Sequence, residues 1–381
     1  MVIQMQYDLV ATCMFGLEKQ LGEELDMIGV TRTGTMDGRV FFRGDESSVA
    51  RANLSLRCAE RVMILLGRFP AKTFDDLFEG TKALPWEAWI GREDSFPVKG
   101  HAIRSQLQSV PSCQKIVKKA VADRLSGLYG GKWLPETGVL YQIEFFLFRD
   151  EAMLMIDTTG TTLHKRGYRP DSGVAPLRET LAAAVALTAR PREDTLLWDP
   201  MCGSGTIAIE TAMILARRAP GLGRGFAAEA FPAIPRAVWD AEREAAEAKI
   251  AADADFEVRA SDVDPAMVEL TGENAARAGV GKYLRVFRAD ARTIEKPDRR
   301  GTLVCNPPYG ERMLDRGEAE KLYREMGKSF ARFDPWQVYI LTSHPEFERL
   351  YGRRADKVKR LYNGMIPCFL YEFFKPKHSS P

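Results

Sequence analysis

The sequence lacks several features that would indicate a metal centre, an exported protein or a membrane protein. Among its 381 residues there are only four histidines and six cysteines, and no two cysteines form a CxxC pair. A structural zinc site is therefore not expected, and scattered cysteines are typical of a reducing cytoplasm. No run of about 18 apolar residues occurs, and the N-terminus has no basic segment followed by an apolar one. We expect neither a membrane span nor a signal peptide.

The composition is that of an ordinary soluble globular protein. Hydrophobic residues make up 45% of the chain and charged residues 28%, which leaves ample apolar content for cores. A length of 381 residues favours two or three domains over one. The net charge of +2 says little about partners, so the local distribution of charge is more informative.

The N-terminal part shows alternating short strands and helices, which indicates small α+β domains. We predict a ferredoxin-like part over residues 1–66 and a second α+β domain over residues 67–157. The predicted elements are strands at 7–13, 38–44, 139–147 and 152–157, helices at 16–29, 73–90 and 112–129, and a helix that passes into a strand over 47–69.

The second of these domains carries a local excess of basic residues. Between Lys99 and Lys132 there are seven lysines or arginines against one acid, Asp123. A basic helical face is suited to the phosphate backbone of nucleic acid; the alternative is an ordinary solvated helix surface. The residues that we predict to bind RNA here are Lys99, Arg104, Lys115, Lys118 and Lys119.

Residues 158–176 (TTGTTLHKRGYRPDSGVAP) are rich in Gly, Thr and Pro and are predicted to form a linker. This segment also contains Lys165, Arg166 and Arg169, which could contact RNA. We therefore place the main domain boundary here, with a further domain over residues 177–381.

The C-terminal part alternates strands with helices, which indicates a doubly wound, mostly parallel α/β sheet. After a helix at 177–190, strands are predicted at 195–200, 256–262, 284–290, 302–306 and 337–343. Two further strands, 358–364 and 365–374, are joined by Asn363-Gly364, a strong hairpin signal. The last strand is expected to turn back antiparallel at the edge of the sheet.

The first predicted strand of this sheet ends in the motif DPMCGSGT, residues 199–206. Gly203 and Gly205 lack Cβ atoms, so the backbone can turn sharply and approach a ligand closely. Ligands of doubly wound sheets bind beyond the carboxyl ends of the strands. A purely structural turn is the alternative interpretation of a lone GxG.

Acids follow the next two predicted strands. The motif SDVD (residues 261–264) offers Asp262 or Asp264 to the hydroxyls of a ribose, and Asp290 ends the following strand, where it could accept from an adenine amino group. Each acid alone could be a helix N-cap. Together with the glycine loop, however, they indicate a cofactor that contains a nucleoside. The chain has neither GxGxxG nor a Walker lysine, which disfavours NAD and ATP.

The stretch LVCNPPYGER (residues 303–312) places a rigid loop after another predicted strand. The side-chain oxygen of Asn306 and the carbonyl of Pro307 can accept the hydrogens of an exocyclic amino group. Pro307 and Pro308 fix the backbone, and Tyr309 offers a ring on which a planar base can stack. We interpret the loop as a clamp for a base that carries an NH2 group; the alternative is a Pro-rich turn with a surface tyrosine.

The order DPMCGSGT, SDVD, AD, NPPY resembles the class I S-adenosylmethionine-dependent methyltransferases that act on amino groups. NPPYGER, the segment APLRETLAAA (175–184) and the run LHKRGYR (163–169) narrow the resemblance to the THUMP-domain RNA guanine-N2 methyltransferases, in their bacterial 23S ribosomal RNA branch. Members of that branch combine a ferredoxin-like part, a THUMP domain and a methyltransferase domain. Some relatives add a second methyltransferase domain, so we expect a single modification from this shorter chain.

The resemblance implies a role for each matching residue. It places the cofactor S-adenosyl-L-methionine against Asp199, Met201, Gly203, Gly205, Thr206, Asp262, Val263, Asp264, Asp290, Arg178, Glu179 and Thr180. It assigns the target guanine to Asn306, Pro307, Pro308 and Tyr309. The implied partner is RNA, as 23S ribosomal RNA or a pre-ribosomal particle, in the cytoplasm and without a metal or a membrane.

Three alternatives remain open at the level of the sequence. The first is the same chemistry on a transfer RNA guanine. The second is methylation of adenine N6 in DNA or RNA, since NPPY also occurs in adenine methyltransferases. The third is a non-catalytic RNA-binding assembly factor, although decay of the motifs would then be expected and all four are intact.

Overall fold

The computed structural model describes residues 6–131, 133–169, 177–308 and 316–374. Tyr309 and the end of the predicted linker lie outside these residues. The strands form two seven-stranded sheets, one in the N-terminal and one in the C-terminal part of the chain.

A single sheet joins the two N-terminal α+β parts, in the order β2-β3-β1-β4-β7-β6-β5. The long strand β4 pairs with β1 on one side and with β7 on the other, so the two parts share one backbone hydrogen-bond network. The strands are β1 (Tyr7–Cys13), β2 (Thr31–Met36), β3 (Arg39–Gly44), β4 (Ala59–Pro70), β5 (Val98–Ile103), β6 (Ile143–Phe148) and β7 (Glu151–Asp157). The helices are α1 (Glu18–Met27), α2 (Glu46–Ser55), α3 (Phe74–Lys82) and α4 (Val110–Tyr129).

Residues 158–169 are packed rather than extended across the surface as a linker would be. Thr158 and Thr159 are fully buried, and their hydroxyls bond to the side chain of Asn53 on α2. Tyr168 is also buried and donates a hydrogen bond to Glu210 in the C-terminal part, at 3.2 Å. This segment therefore fixes the two parts of the protein against each other.

The C-terminal sheet has the order β10-β9-β8-β11-β12-β14-β13, in which β14 alone runs opposite to the other six strands. Its strands are β8 (Leu196–Asp199), β9 (Val258–Asp262), β10 (Leu284–Arg288), β11 (Gly301–Cys305), β12 (Gln337–Thr342), β13 (Lys357–Asn363) and β14 (Ile366–Phe373). The helices are α5 (Glu179–Ala189), α6 (Thr206–Leu215), α7 (Arg236–Glu247), α8 (Pro265–Arg277), α9 (Arg316–Ala331) and α10 (Phe347–Tyr351).

The predicted antiparallel last strand is present, but its expected position at the sheet edge is wrong. β14 lies between β12 and β13, and β13 forms the edge. The physical reason is the difference in polarity between the two strands. β13 carries Lys357, Lys359 and Arg360 and is buried only at Leu361, whereas β14 is buried at five of its eight positions. A charged strand is the one that tolerates an open edge.

The central strands β8 and β11 are buried along their whole length, as parallel strands covered on both faces should be. The chain order reverses between them, because β9 and β10 continue the sheet on one side and β12 on the other. This reversal opens a crevice at the carboxyl ends of β8 and β11, where ligands of such sheets bind. None of the helices in the described ranges is both long and apolar enough to cross a membrane.

Candidate active site

A cavity of about 540 Å³ lies at this crevice and brings together the motifs that follow β8, β9, β10 and β11. The residues that line it from these motifs are Pro200, Met201, Gly203, Asp262, Val263, Asp264, Asp290, Asn306 and Pro308. No cluster of three or more potential metal-ligating side chains occurs in the described part of the chain. The cavity wall combines carboxylates and the amide of Asn306 with the basic groups of Arg292 and Lys321 and with apolar side chains such as Met201 and Leu322.

The glycine loop has the geometry that close approach of a ligand requires. Gly203 has a φ of +51°, and a Cβ built on it would meet no atom within 4 Å, so the missing side chain leaves room for a ligand. Gly205 has a φ of +84°, and its Cβ would come within 2.7 Å of Thr271 on α8. The first glycine thus opens space in the cavity, while the second allows the loop to pack on a helix.

The two acids of SDVD have different partners. Asp262 accepts hydrogen bonds from the backbone N–H groups of Gly203 (2.9 Å) and Asp264 (3.0 Å), and so links the end of β9 to the glycine loop. Asp264 is the N-cap of α8, where its side chain accepts from the N–H of Ala266 at 2.9 Å. Both acids line the cavity. Asp262 is the better candidate for the ribose, since it bonds directly to the glycine loop, whereas Asp264 caps α8.

Asp290 lies beside Arg292, which the sequence motifs did not include. The guanidinium of Arg292 reaches both carboxylate oxygens, with a shortest distance of 2.5 Å, and its backbone N–H donates to the same group. These hydrogen bonds hold the pKa of Asp290 below its ordinary value. Arg292 makes four hydrogen bonds to this carboxylate, about as many as a carboxylate accepts, so Asp290 can accept from an adenine amino group only if Arg292 gives up one of them.

Asp199 is buried beneath the loop rather than in the wall of the cavity. It is 1% exposed, and one oxygen accepts from the N–H of Met201 at 3.2 Å. Burial raises the pKa of this carboxyl to about 8, with the N–H of Met201 opposing the shift and the charge of Asp262 adding to it. Asp199 therefore supports the turn, and its charge state is sensitive to pH near neutrality.

The carboxyl end of β11 presents Asn306 and Pro308 to the cavity, while Pro307 is buried. The hydroxyl of Tyr323 on α9 donates to the carbonyl oxygen of Pro308 at 2.8 Å. Tyr323 is fully buried and its oxygen lies 3.1 Å from that of Thr342 at the end of β12. Tyr323 thus connects the loop to α9 and, through Thr342, to the end of β12.

One face of α9 completes the cavity wall and was not identified from the sequence. Its lining residues are Glu318, Lys321, Leu322 and Glu325. Their spacing of three, one and three residues is that of a single helical face, so periodicity alone could have grouped them. Nothing in the sequence motifs, however, indicated that this face turns towards the cavity.

Arg178, Glu179 and Thr180 do not line this cavity among the described residues. Arg178 (3.3 Å) and Thr180 (2.6 Å) both donate to Glu60 on β4, and His164 approaches the same carboxylate at 3.0 Å. Their observed contacts therefore join the start of α5 to the N-terminal sheet.

Glu179 and Thr206 are connected through Arg169. The guanidinium of Arg169 pairs with Glu179 at 2.9 Å and donates to the hydroxyl of Thr206 at 2.9 Å, at the end of the glycine loop. The Arg169 and Glu179 side chains are only 6% and 5% exposed. Arg169 is thus hydrogen-bonded directly to the predicted cofactor loop. It does not lie on a surface open to RNA.

The other predicted RNA-binding residues fall into two groups. Arg166 is buried against Glu210, and half-buried Lys118 pairs with Glu136 and lies 3.5 Å from the centre of the Phe96 ring. The charge of each side chain is therefore paired with an acid of the protein, Glu210 for Arg166 and Glu136 for Lys118. The exposed group, for which RNA binding stays a prediction, is Lys99, Arg104, Lys115, Lys119 and Lys165.

Three family models match the chain in series. The model described as the RlmL ferredoxin-like domain matches residues 8–63, that of the THUMP domain matches residues 71–157, and that of the RMKL-like methyltransferase domain matches residues 166–372. These matches confirm the predicted fold class, with its ferredoxin-like part, THUMP domain and methyltransferase domain.

Two relatives cover almost the whole chain. YpsC of Bacillus subtilis (strain 168), provisionally named an RNA methyltransferase, is 42% identical over 97% of this chain and 96% of its own length. The protein of Pseudomonas entomophila (strain L48) named ribosomal RNA large subunit methyltransferase K/L is 33% identical over 97% of this chain. The chain spans only about half (52%) of that second relative.

Two solved structures share the architecture. SMU.472, provisionally described as a methyltransferase and crystallised with SAH, has a TM-score of 0.92 and 39% identity, and covers 98% of this chain and 100% of its own. A Listeria monocytogenes (str. 4b F2365) protein described as a predicted N6-adenine-specific DNA methylase has a TM-score of 0.92 and 43% identity, with coverages of 98% and 97%.

Proposed function

Because the chain belongs to the RMKL-like methyltransferase family, we propose that it methylates the exocyclic N2 amino group of a guanine in 23S ribosomal RNA. The observation that carries the proposal is that Asn306 and Pro308 share one cavity with Gly203, Asp262 and Asp290. A loop suited to an amino group and a set of groups suited to a nucleoside cofactor thus face the same space. The THUMP domain and the names of the relatives support RNA as the substrate, and hence action in the cytoplasm.

The expected cofactor, S-adenosyl-L-methionine, is confirmed for the family, in which SMU.472 was crystallised with the demethylated form, SAH. The residues present fit this group. We assign the open space at Gly203 to close approach of the ligand, Asp262 to the ribose hydroxyls and Asp290 to the adenine amino group, because all three residues line the same cavity. When bound, the cofactor supplies an electrophilic methyl group.

The role of the protein is to place and desolvate the target nitrogen. The target guanine leaves its stack and enters the cavity, at a cost of roughly a few kcal/mol. With the cofactor bound, the side-chain oxygen of Asn306 and the carbonyl of Pro307 would accept the hydrogens of the amino group and so hold its nitrogen for methylation. The S–CH3 bond of the cofactor would break as the N–CH3 bond forms, and one N–H proton would pass to water. Orientation supplies most of the rate enhancement.

The proposal is tested by supplying labelled S-adenosyl-L-methionine with unmodified 23S ribosomal RNA, unmodified transfer RNA or duplex DNA. Each product is digested to nucleosides and identified by mass spectrometry. We expect N2-methylguanosine in ribosomal RNA alone. The same nucleoside in transfer RNA would keep the chemistry and change the substrate. Absence of label from free RNA calls for the same assay on precursor particles of the large subunit.

Adenine N6 is the second candidate target, because the Listeria protein at 43% identity is described as an N6-adenine-specific DNA methylase. An adenine also presents a planar amino group, so the same Asn306 loop could hold it. The assay separates the two, since N6-methyladenine in the DNA digest, with no methylguanosine in RNA, would replace the guanine proposal.

A further inference from the structure

The hairpin formed by β13 and β14 extends beyond the catalytic edge of the sheet. Phe369 on β14 pairs with Thr342, the last residue of β12, on one side and with Arg360 on the other. The three residues of β13 that follow Arg360 therefore project about 10 Å past the end of β12. β13 lies three strand spacings from β11, or roughly 14 Å from the Asn306 loop. The hairpin tip thus lies at the same edge of the sheet as the proposed target site, roughly 17 Å from it when the two offsets are combined.

One large apolar side chain is exposed on this tip and another on a loop of the ferredoxin-like part, where it lies against a half-buried tyrosine of the tip. Phe15, which follows β1, is 52% exposed, and its ring lies 6.0 Å from that of Tyr362 on β13, edge to face. Met365, in the hairpin turn, is 94% exposed. Single exposed apolar residues are ordinary, but Phe15 contacts the Tyr362 ring, and Met365 lies three residues further along the same hairpin. We refer to Phe15, Tyr362 and Met365 as the tip cluster.

The loop that carries Phe15 is held in place. The carboxylate of Glu18 accepts from the backbone N–H groups of Gly16 (2.9 Å) and Gly38 (2.8 Å). Gly16 also lies against the edge of β13, where an added Cβ would come within 2.9 Å of the Arg360 carbonyl oxygen. The Phe15 ring is therefore presented by a fixed backbone, which lowers the entropy lost when a partner binds.

Cationic groups lie beside these rings. The guanidinium of Arg360, which is exposed, lies 5.4 Å from the centre of the Tyr362 ring. Arg178, whose side chain is 38% exposed, lies 3.7 Å from the position of a Cβ on Gly364 in the hairpin turn. An exposed ring and a half-buried ring beside two arginines are suited to an unpaired nucleotide, whose base stacks and whose phosphate is negative.

We propose that the tip cluster binds an unpaired nucleotide of the substrate RNA a few positions from the target base, with Arg178 and Arg360 beside its phosphate. The inference rests on the proposed action on RNA and extends it by one contact outside the catalytic cavity. It also gives the ferredoxin-like part a direct role, since Phe15 and the methyltransferase hairpin would hold the same strand of RNA.

The test measures methyl transfer to unmodified 23S ribosomal RNA by the full chain and by Phe15→Ala and Tyr362→Ala. Loss of one stacking contact is expected to raise the KM for RNA about fivefold or more, with kcat within twofold and affinity for S-adenosyl-L-methionine unchanged. Tyr362→Phe keeps the ring and should keep the wild-type KM. Met27→Ala is the matched control, because Met27 is 74% exposed on α1, outside the tip cluster.

The outcomes separate this inference from the proposed function. A wild-type chain that methylates DNA but no RNA would overturn the proposed function. A wild-type chain that methylates RNA, with an unchanged KM in both alanine variants, would overturn the tip cluster alone. Variants that act normally on free RNA but poorly on ribosomal particles would mean that the surface binds protein, which also contradicts the inference. Parallel losses of kcat and cofactor affinity would indicate structural damage and reject it as well.

Discussion

The hydroxyl of Tyr323 donates a hydrogen bond of 2.8 Å to the carbonyl oxygen of Pro308, in the loop that presents Asn306. Because that hydroxyl has one proton, the neighbouring Thr342 hydroxyl, at 3.1 Å, donates to Tyr323 in turn. Thr342 also accepts the backbone N–H of His344 at 3.1 Å. A chain of hydrogen bonds therefore runs from the end of β12 through α9 to the catalytic loop, and such chains strengthen their members.

Tyr323→Phe should lower kcat with little effect on cofactor affinity. The substitution removes one buried hydrogen bond, worth about 1 kcal/mol, and keeps the ring in its place in the core. Loss of positioning by this amount corresponds to roughly a fivefold to tenfold slower transfer. Single-turnover rates and the Kd for S-adenosyl-L-methionine check it. An unchanged rate would show that the prolines alone fix the loop.

Substitution of Asp262 should mainly weaken cofactor binding, whereas substitution of Asp264 should mainly lower stability. Asp262→Asn removes a charged acceptor from the cavity and from the Gly203 N–H, so the Kd for S-adenosyl-L-methionine should rise about tenfold or more. Asp264→Ala removes the N-cap of α8 and should cost about 1 kcal/mol of unfolding free energy. Calorimetry and urea unfolding measure the two quantities. The reverse pattern would assign the ribose to Asp264.

The raised pKa of Asp199 predicts that stability falls as pH rises. The unfolded carboxyl titrates near its ordinary 3.8 and the folded one near 8, so between these values the folded state holds a proton that the unfolded state has lost. Unfolding free energy therefore decreases with pH, by at most about 1.4 kcal/mol per pH unit. Asp199→Asn should remove this slope in urea unfolding at roughly pH 5.5 and 7.5. Parallel slopes in both proteins would show that Asp199 is ionised.

Glu60 should be important for the junction between the N-terminal sheet and α5. Burial alone would raise its pKa, but hydrogen bonds from His164 and Thr180 bring the pKa below its ordinary value. This contribution to stability is present above the unfolded pKa and is lost as pH falls through the folded one. Glu60→Ala should cost about 2 kcal/mol or more, because the fully buried Thr180 and the half-buried His164 lose their acceptor.

A surface pair provides the control for Glu60. Glu23 lies 3.9 Å from Lys19, and both side chains are mostly exposed, so Glu23→Ala should change the unfolding free energy by less than about 0.5 kcal/mol. Equal effects of Glu60→Ala and Glu23→Ala in urea unfolding at neutral pH would contradict the role given to Glu60.

The elements around the cavity were predictable because their signals are local. Buried parallel strands are continuous apolar runs, and the residues that follow β8, β9, β10 and β11 meet at one edge of the sheet. β2 and β5 were missed because neither shows clear alternation: β2 is exposed at nearly every position, and β5 contains Lys99, Gly100 and His101.

The remaining differences depend on contacts between distant parts of the chain. A count of positive charges suggested RNA binding for Arg166 and Arg169, but their acids, Glu210 and Glu179, lie on α6 and α5. Pairing across such distances has no signature in the local sequence. The same holds for Arg178 and Thr180, whose partner Glu60 comes from β4.

The central claim is that one cavity holds the cofactor through its glycine loop and acids and the target amino group through Asn306. The most direct measurement compares Asn306→Ala with wild type for single-turnover methyl transfer to RNA and for binding of S-adenosyl-L-methionine in the same preparation. We predict transfer slower by about a hundredfold or more, since a positioning group in a preorganised site is lost, and a cofactor Kd within twofold of wild type. Transfer at the wild-type rate, or an equal loss of cofactor binding, would contradict the account.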